Sequence, residues 1–457
     1  MVRDLDIVVF GATGDTGVVG CCYLFFQGKK LGITSWAPAA RNVSKLQRDV
    51  LDRFENADPS LDVLRPGEPL SADASDYEAL VNMCKRTRCV LACAGPFSLY
   101  GEGVVRACVE AGTNYVDVTG EIDWVEKMQR KYSKEAESKG ISLVSCAGYD
   151  SIPPDLTAYL AAKALEKDGQ HLQRFEAFVG GGGGALPTGT LNTVLEGISA
   201  GKQRFLRTIS CGTCGRRQSA STRKKSTDGT PLLPSQEMER KLVPVTEQSM
   251  LKKNLFWTMC PGYSQLAQQF CIPHFMAPIN IYNVHRTAVS EGYGGLEYRE
   301  RMAGLPRGTL SARGLVPVLL SIVGTTWLAL FAALPGFAAM ARNLRDRYNT
   351  PLQQRVRDLV FDGYSSTGKT YVHGYGVSAD GHRVNVKMHS TYDPGLGFTM
   401  LAACTVAAEI VKRADTSSRA RSGFHTAVAA IGGDALADAL RVAGVSIDIG
   451  SLITSKL

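Results

Sequence analysis

The sequence predicts an α/β chain with an N-terminal doubly wound parallel sheet, followed by a second α+β domain that has a mixed or antiparallel sheet and a hydrophobic helical insertion. Three observations carry this. Across the first 150 residues, short apolar runs alternate with amphipathic helical stretches, the pattern of a parallel sheet covered by helices. A glycine-rich turn separates the first run from the first helical stretch. The chain has 457 residues, more than a single core normally organises.

Composition narrows the class. Apolar residues make up 44% and charged residues 21%, a balance that buries a core and is unlike disordered chains. The excess of 51 Lys and Arg over 43 Asp and Glu is spread along the chain, with one concentration near 216–225. A nucleic-acid partner would need a focused basic face with stacking aromatics, so none is expected; attraction to anionic phosphates or lipid headgroups stays open. Of twelve cysteines, Cys21, Cys22, Cys89, Cys93, Cys108 and Cys146 fall inside apolar patterns, where the thiol behaves as a small hydrophobe. Cys211 and Cys214 form the one Cys-x-x-Cys pair, and without two further ligands no metal site is expected. Asp4 and Asp6 interrupt the N-terminus, so no secretory signal is expected.

The first element is the run Leu5-Asp6-Ile7-Val8-Val9-Phe10, read as a strand. It leads into Gly11-Ala12-Thr13-Gly14-Asp15-Thr16-Gly17 and an apolar helical stretch to Phe26. Gly11 permits the tight turn, Gly14 lets backbone approach a pyrophosphate, and Gly17 lets the helix close on the strand. The helix entrance offers N–H groups and a positive dipole end to phosphates, so this is a Rossmann-type dinucleotide site with all seven residues as candidates. The second strand is read as Ile33–Pro38, ending at Ala39-Ala40-Arg41-Asn42 before a helical stretch over 43–54. An acidic residue here would bind the ribose hydroxyls of NAD. Arg41 instead suits a 2′-phosphate, which favours NADP(H) over NAD(H); the other reading is a solvated arginine at a strand end.

Four further strand positions follow: Ser71-Ala72-Asp73 before helix Tyr77–Lys85, Cys89–Ala94 before the turn Gly95-Pro96-Phe97, Tyr115–Val118 before helix Ile122–Ser138, and Ile141–Cys146 before Gly148-Tyr149-Asp150. Ligands of such sheets lie beyond the carboxyl ends of the strands, which adds Asn42, Asp73, Ala94, Gly95, Pro96 and Phe97 to the cofactor candidates.

Beyond residue 150 the pattern changes. A helix from Ser151 to about Lys167 precedes a strand Phe175–Val179, and Gly180–Gly184 reads as a flexible connector rather than a phosphate cradle. Residues 211–236 read as an exposed, mobile insertion. Residues 314–341 carry no charge, and the 17 residues Val318–Leu334 between Pro317 and Pro335 would span about 26 Å as a helix. Basic flanks at Arg307, Arg313, Arg342, Arg345 and Arg347 leave three readings: an anchor dipping into a membrane or lipid-droplet surface, a buried core or homodimer helix, and a true span. Tyr371–Ser378 and Arg383–Thr391 form a hairpin around Ala379-Asp380-Gly381-His382, and helices Phe398–Arg413 and Thr426–Ala443 follow. The expected organisation is 1–150 for the nucleotide domain, 151–395 for the substrate domain, and 396–457 for the C-terminal helices. Terminal Ser455-Lys456-Leu457 reads as an address for the import receptor of a peroxisome-type organelle, peroxisome or glycosome.

With these residues in view, the chain resembles the saccharopine dehydrogenase-like oxidoreductases, a family that also includes bacterial trans-acting enoyl reductases of complex-lipid synthesis. The resemblance rests on Gly11 through Gly17, Ala40-Arg41-Asn42 with Lys45-Leu46, Gly95-Pro96-Phe97 with Tyr100-Gly101, Tyr115-Val116-Asp117-Val118-Thr119-Gly120-Glu121, and Gly148-Tyr149-Asp150-Ser151-Ile152-Pro153. It is close over the first third and loose beyond, through Tyr392-Asp393-Pro394-Gly395. The family's Ala-Gly-Arg triplet is Ala39-Ala40-Arg41 here. The resemblance implies NADP chemistry, a second domain on a mixed sheet, and C-terminal helices 396–457 that return to pack on the first domain. It leads us to expect an NADP-dependent reductase of a lipid-linked or acyl substrate; a saccharopine-type amino-acid dehydrogenase and a non-catalytic dinucleotide-binding protein of a lipid-droplet or membrane surface are the alternatives. Hydride transfer asks the protein mainly for orientation and a proton. Tyr100 and Tyr149 are candidates to supply it, with Asp150 orienting, against the reading that both tyrosines are structural.

Overall fold

The structure, a computed structural model, describes residues 3–182, 262–274, 276–306, 368–414, 416, 419–450 and 453–454, with single positions between 250 and 260 and between 340 and 363. The insertion 211–236, the pair Cys211 and Cys214, the apolar segment 314–341 apart from Met340, and Ser455-Lys456-Leu457 lie outside the described residues.

Seven strands make the first sheet: β1 (Leu5–Phe10), β2 (Trp36–Ala40), β3 (Leu70–Ser71), β4 (Thr87–Ala92), β5 (Asn114–Asp117), β6 (Ser142–Val144) and, from far along the chain, β13 (Gly423–His425). Their order is β13-β6-β5-β4-β1-β2-β3, every pairing parallel. β1 is buried at every position, as a strand covered on both faces must be. The chain runs outward from β1 to β2 on one side and to β4 on the other, so the order reverses between β1 and β4. That is where an open parallel sheet leaves a crevice beyond its strand ends.

The second sheet is mixed and has eight strands: β7 (Leu172–Gly182), β8 (Gly262–Ser264), β9 (Gln269–Pro273), β10 (Glu297–Pro306), β11 (Lys369–Ser378), β12 (His382–Ser390), β14 (Ser446–Ile449) and β15 (Ile453–Thr454). The order is β14-β12-β11-β7-β10-β9-β8, with β15 also on β12; only β7 and β10 pair in parallel.

Three local readings from the sequence need correction. The second strand is Trp36–Ala40, because Asp6 captures Thr34 through its amide and hydroxyl at 2.9 and 2.8 Å and holds that stretch out of the ladder. Gly180–Gly182 are strand, not connector: β7 continues through them beside β11. The Tyr371 ring lies across Gly180, and a Cβ there would come within 2.3 Å of it. The helix expected over Thr426–Ala443 breaks into Ala427–Ile431 and Gly433–Val442. Gly432 turns the chain at φ +88°, and Gly433 admits the Tyr159 ring where a Cβ would sit 2.2 Å away.

Helix Thr399–Arg413 packs on the first sheet, against β1, β4 and β5. With the turn before it, this 20-residue stretch is long and apolar enough to cross a membrane, yet 83% of its apolar window is buried inside the protein. Its Met400 methyl fills the space above Gly20 of helix Asp15–Gln27, and its Val411 carbonyl accepts from Arg88 at 3.0 Å. Apolar all round, it is a core helix.

Candidate functional site

The glycine turn forms at the switch point. Gly11 takes φ +85°, a conformation glycine alone adopts freely, and its α-carbon faces Ala94 so closely that a Cβ would lie 2.9 Å from the Ala94 nitrogen. The loops after β1 and β4 therefore meet over the crevice. Gly17 would place a Cβ 2.2 Å from the Gly11 carbonyl oxygen, which keeps helix Asp15–Gln27 tight on the turn. Gly14 caps that helix without a side-chain hydrogen bond and is exposed, leaving the helix entrance to a ligand's anionic oxygens. Ala12 is buried, while Thr13, Asp15 and Thr16 are partly exposed around the entrance.

At the ends of β2 and β3, Arg41 projects with 83% of its side chain exposed, and its Nε lies 3.7 Å from Asp73 Oδ2. The Ser75 amide and hydroxyl donate to Asp73 at 2.9 and 2.8 Å and hold its carboxyl below the usual range. Asp73 thus stays anionic and orients the guanidinium. Asn42 serves the chain, since its side-chain oxygen accepts from the Lys45 amide at 2.8 Å and caps the next helical turn. These residues fit a dinucleotide with an extra phosphate: a helix entrance without a side-chain cap at the switch point, and a solvent-facing guanidinium one strand away.

The loop after β4 divides its residues. Gly95 is exposed and joined to Pro96 by a cis peptide bond; Phe97 turns inward and packs on Trp124, ring centroids 5.6 Å apart. Tyr100 is 49% exposed on helix Phe97–Ala111. The first N–H groups of that helix, from Phe97 and Ser98, donate to the Glu121 carboxylate at 2.8 and 2.9 Å, so this helix entrance already holds an anion. The capping role of Glu121 was not evident from spacing, although the residue lies within the motif read above.

Tyr149 and Asp150 leave β6 for the space between the sheets. The Tyr149 hydroxyl donates to the Gly180 carbonyl at 3.2 Å, its amide donates to the Thr399 hydroxyl at 3.3 Å, and burial drives the phenol pKa well up. Asp150 joins a polar cluster that the sequence reading missed. Glu300, fully buried on β10, accepts from His274 Nδ1 at 2.5 Å, from Asn280 at 2.8 Å and from the Tyr298 hydroxyl at 2.7 Å. Burial pushes the Asp150 carboxyl up to about 6, with the His274 charge opposing and the Glu300 charge adding to the rise. Burial works against a charged His274 ring, but hydrogen bonding and charge from Glu300, with Asp150, outweigh it and raise its pKa. The loop after β5 closes over this region, with Gly120 facing Ile279 and Met276 where a Cβ would sit 3.3 and 3.5 Å from their side chains. Chemically, the cluster holds protons near neutral pH beside the carboxyl ends of β5 and β6. No sequence pattern links its members, which come from three separated segments.

Another buried carboxylate, Asp155, accepts from Thr287 at 2.7 Å while its other oxygen finds no hydrogen-bond partner among the described residues. Burial pushes its pKa up to about 8. Since an unfolded aspartate titrates near 4, the folded state binds the extra proton, and this group's contribution is full below pH 4 and lost as pH rises toward 8. Asp155→Asn should therefore flatten the decline in thermal stability between about pH 5 and pH 8, by up to about 1.4 kcal/mol per pH unit. Parallel pH profiles for the two proteins would refute this.

Comparison with known proteins agrees with the geometry. Residues 7–144 match the saccharopine dehydrogenase NADP binding domain. A lipid droplet localized protein of Caenorhabditis elegans is 39% identical over 201 residues, 42% of this chain and 45% of that protein. A Mycobacterium tuberculosis protein named as a trans-acting enoyl reductase is 29% identical over 97% of both chains. A saccharopine dehydrogenase-like oxidoreductase of Mus musculus is 32% identical over 46% of this chain and 50% of its own. The alignments thus span about half the length of two of these relatives and nearly all of the third.

Proposed function

Starting from residues 7–144 as a saccharopine dehydrogenase NADP binding domain, we propose that the whole chain is an NADP-dependent oxidoreductase that reduces an unsaturated acyl group carried by a lipid. The observation that carries the reading is the exposed Arg41 beside Asp73, one strand from a helix entrance opened by Gly14. The acyl and lipid part is supported by the near full-length similarity to a protein named as an enoyl reductase, by the lipid-droplet name of another relative, and by the uncharged stretch 314–341.

NADPH, when bound, supplies the hydride. Adding it across a carbon–carbon double bond calls for a proton at the neighbouring carbon, and the protein must hold that proton in the crevice. Asp150, with its carboxyl near 6 and backed by His274 and Glu300, takes this part. Tyr149 positions the Asp150 loop through its bond to Gly180, and Tyr100 lies at the rim.

The test uses the full chain. NADPH should bind more tightly than NADH and be consumed when a long-chain enoyl thioester is added, and vesicles of neutral lipid should retain the protein. Failure of both nucleotides to bind would end the reading, and turnover of saccharopine in place of the thioester would move the substrate to the amino-acid class.

A further inference from the structure

We propose that His373 and His389 form a two-imidazole binding site for a late divalent transition metal on the second sheet, apart from the nucleotide crevice. The two residues sit on β11 and β12, in register with Lys387 and Tyr371 respectively, so they are diagonal neighbours on one face. Their Nε2 atoms are 2.9 Å apart and their ring centroids 4.8 Å. The Tyr371 ring flanks both imidazoles, centroids 5.5 Å from His373 and 6.4 Å from His389, the latter pair stacked. Gly180 makes that placement possible by leaving the neighbouring strand bare beneath Tyr371.

The separation is chemically informative. Two nitrogens bound to one metal at about 2.0–2.1 Å lie about 2.9 Å apart when they subtend a right angle, and about 3.3 Å apart at a tetrahedral angle. The observed 2.9 Å matches the right angle, which square-planar or tetragonal Cu2+ and Ni2+ adopt. Zinc would require the rings to part by roughly 0.4 Å. With no metal, the N–H of one ring donates to the lone pair of the other, and a metal would take that proton's place and accept a lone pair from each ring. Paired strands fix both backbones, which removes much of the ordering cost of chelation. Asp448 on β14 stands opposite Lys387 in the sheet, and Ser446 stands opposite His389. Waters or ligand oxygens would complete the coordination. Neither histidine is among the residues assigned to nucleotide or substrate, and the Gly180 backbone beneath Tyr371 also accepts from Tyr149.

The experiment titrates chelator-treated, untagged full-length protein with NiCl2 and CuCl2 by calorimetry and absorption. The expected result is one saturable equivalent, with Ni2+ and Cu2+ bound more tightly than Zn2+. Affinity should fall at least tenfold in His373→Ala and again in His389→Ala, while NADPH affinity, which reports an intact fold, stays unchanged in both. Binding that survives both substitutions, or the absence of saturable binding in the parent protein, would overturn the proposal.

Discussion

Arg41→Ala is expected to weaken NADPH binding by roughly 10- to 150-fold and to leave NADH binding within a few-fold of the parent, measured by nucleotide titration of the full chain. The range follows from the usual worth of a hydrogen bond to a charged group, about 1.5–3 kcal/mol. Solvent exposure of 83% places the effect toward the lower end, because water screens the pair. Asp73, anchored by Ser75, keeps the guanidinium at the end of β2 but has nothing to offer a phosphate directly. An equal loss for both nucleotides would assign Arg41 to the shared pyrophosphate or to the loop itself, and the preference for the extra phosphate would have to come from elsewhere.

The second large effect belongs to the interdomain cluster. Glu300→Ala should lower unfolding stability by about 3–5 kcal/mol, because it leaves the His274 ring, the Asn280 amide and the Tyr298 hydroxyl buried without their common acceptor. Urea denaturation reads this as a lower midpoint at similar slope. A loss below about 1 kcal/mol would mean the group behaves as a solvated surface pair, and the proton-holding role assigned to Asp150 and His274 would lose its structural basis.

The first sheet was readable where a strand such as β1, β4 or β5 carries an apolar run followed by a helix with its own signal. Helix Ile122–Ser138 falls where the pattern put it, and the turn from Gly11 to Gly17 announces itself through three glycines at fixed spacing. What could not be read depends on partners distant in the chain. Gly180 looks like a linker until Tyr371 is seen lying over it, nearly two hundred residues later. Glu300 looks like one more charge in the run Glu297-Tyr298-Arg299-Glu300-Arg301, and only the fold shows it as the common acceptor for His274, Asn280 and Tyr298. β13 is a three-residue strand whose pairing with β6 no periodicity encodes. The apolar segment 314–341 drew attention by its lack of charge, yet the described stretch long and apolar enough to cross a membrane is Pro394–Arg413, most of it buried inside the protein.

The place of β13 has a further implication for how the protein is made. With synthesis running at about 5–20 residues per second, on the order of 280 residues and roughly a quarter of a minute to a minute separate the emergence of β6 from that of its neighbour. Throughout that interval the nascent N-terminal half exposes an unpaired strand margin to any other extended segment. A fragment ending near residue 150 would keep that margin permanently open, so studies of the nucleotide site are better served by the entire polypeptide than by an excised module.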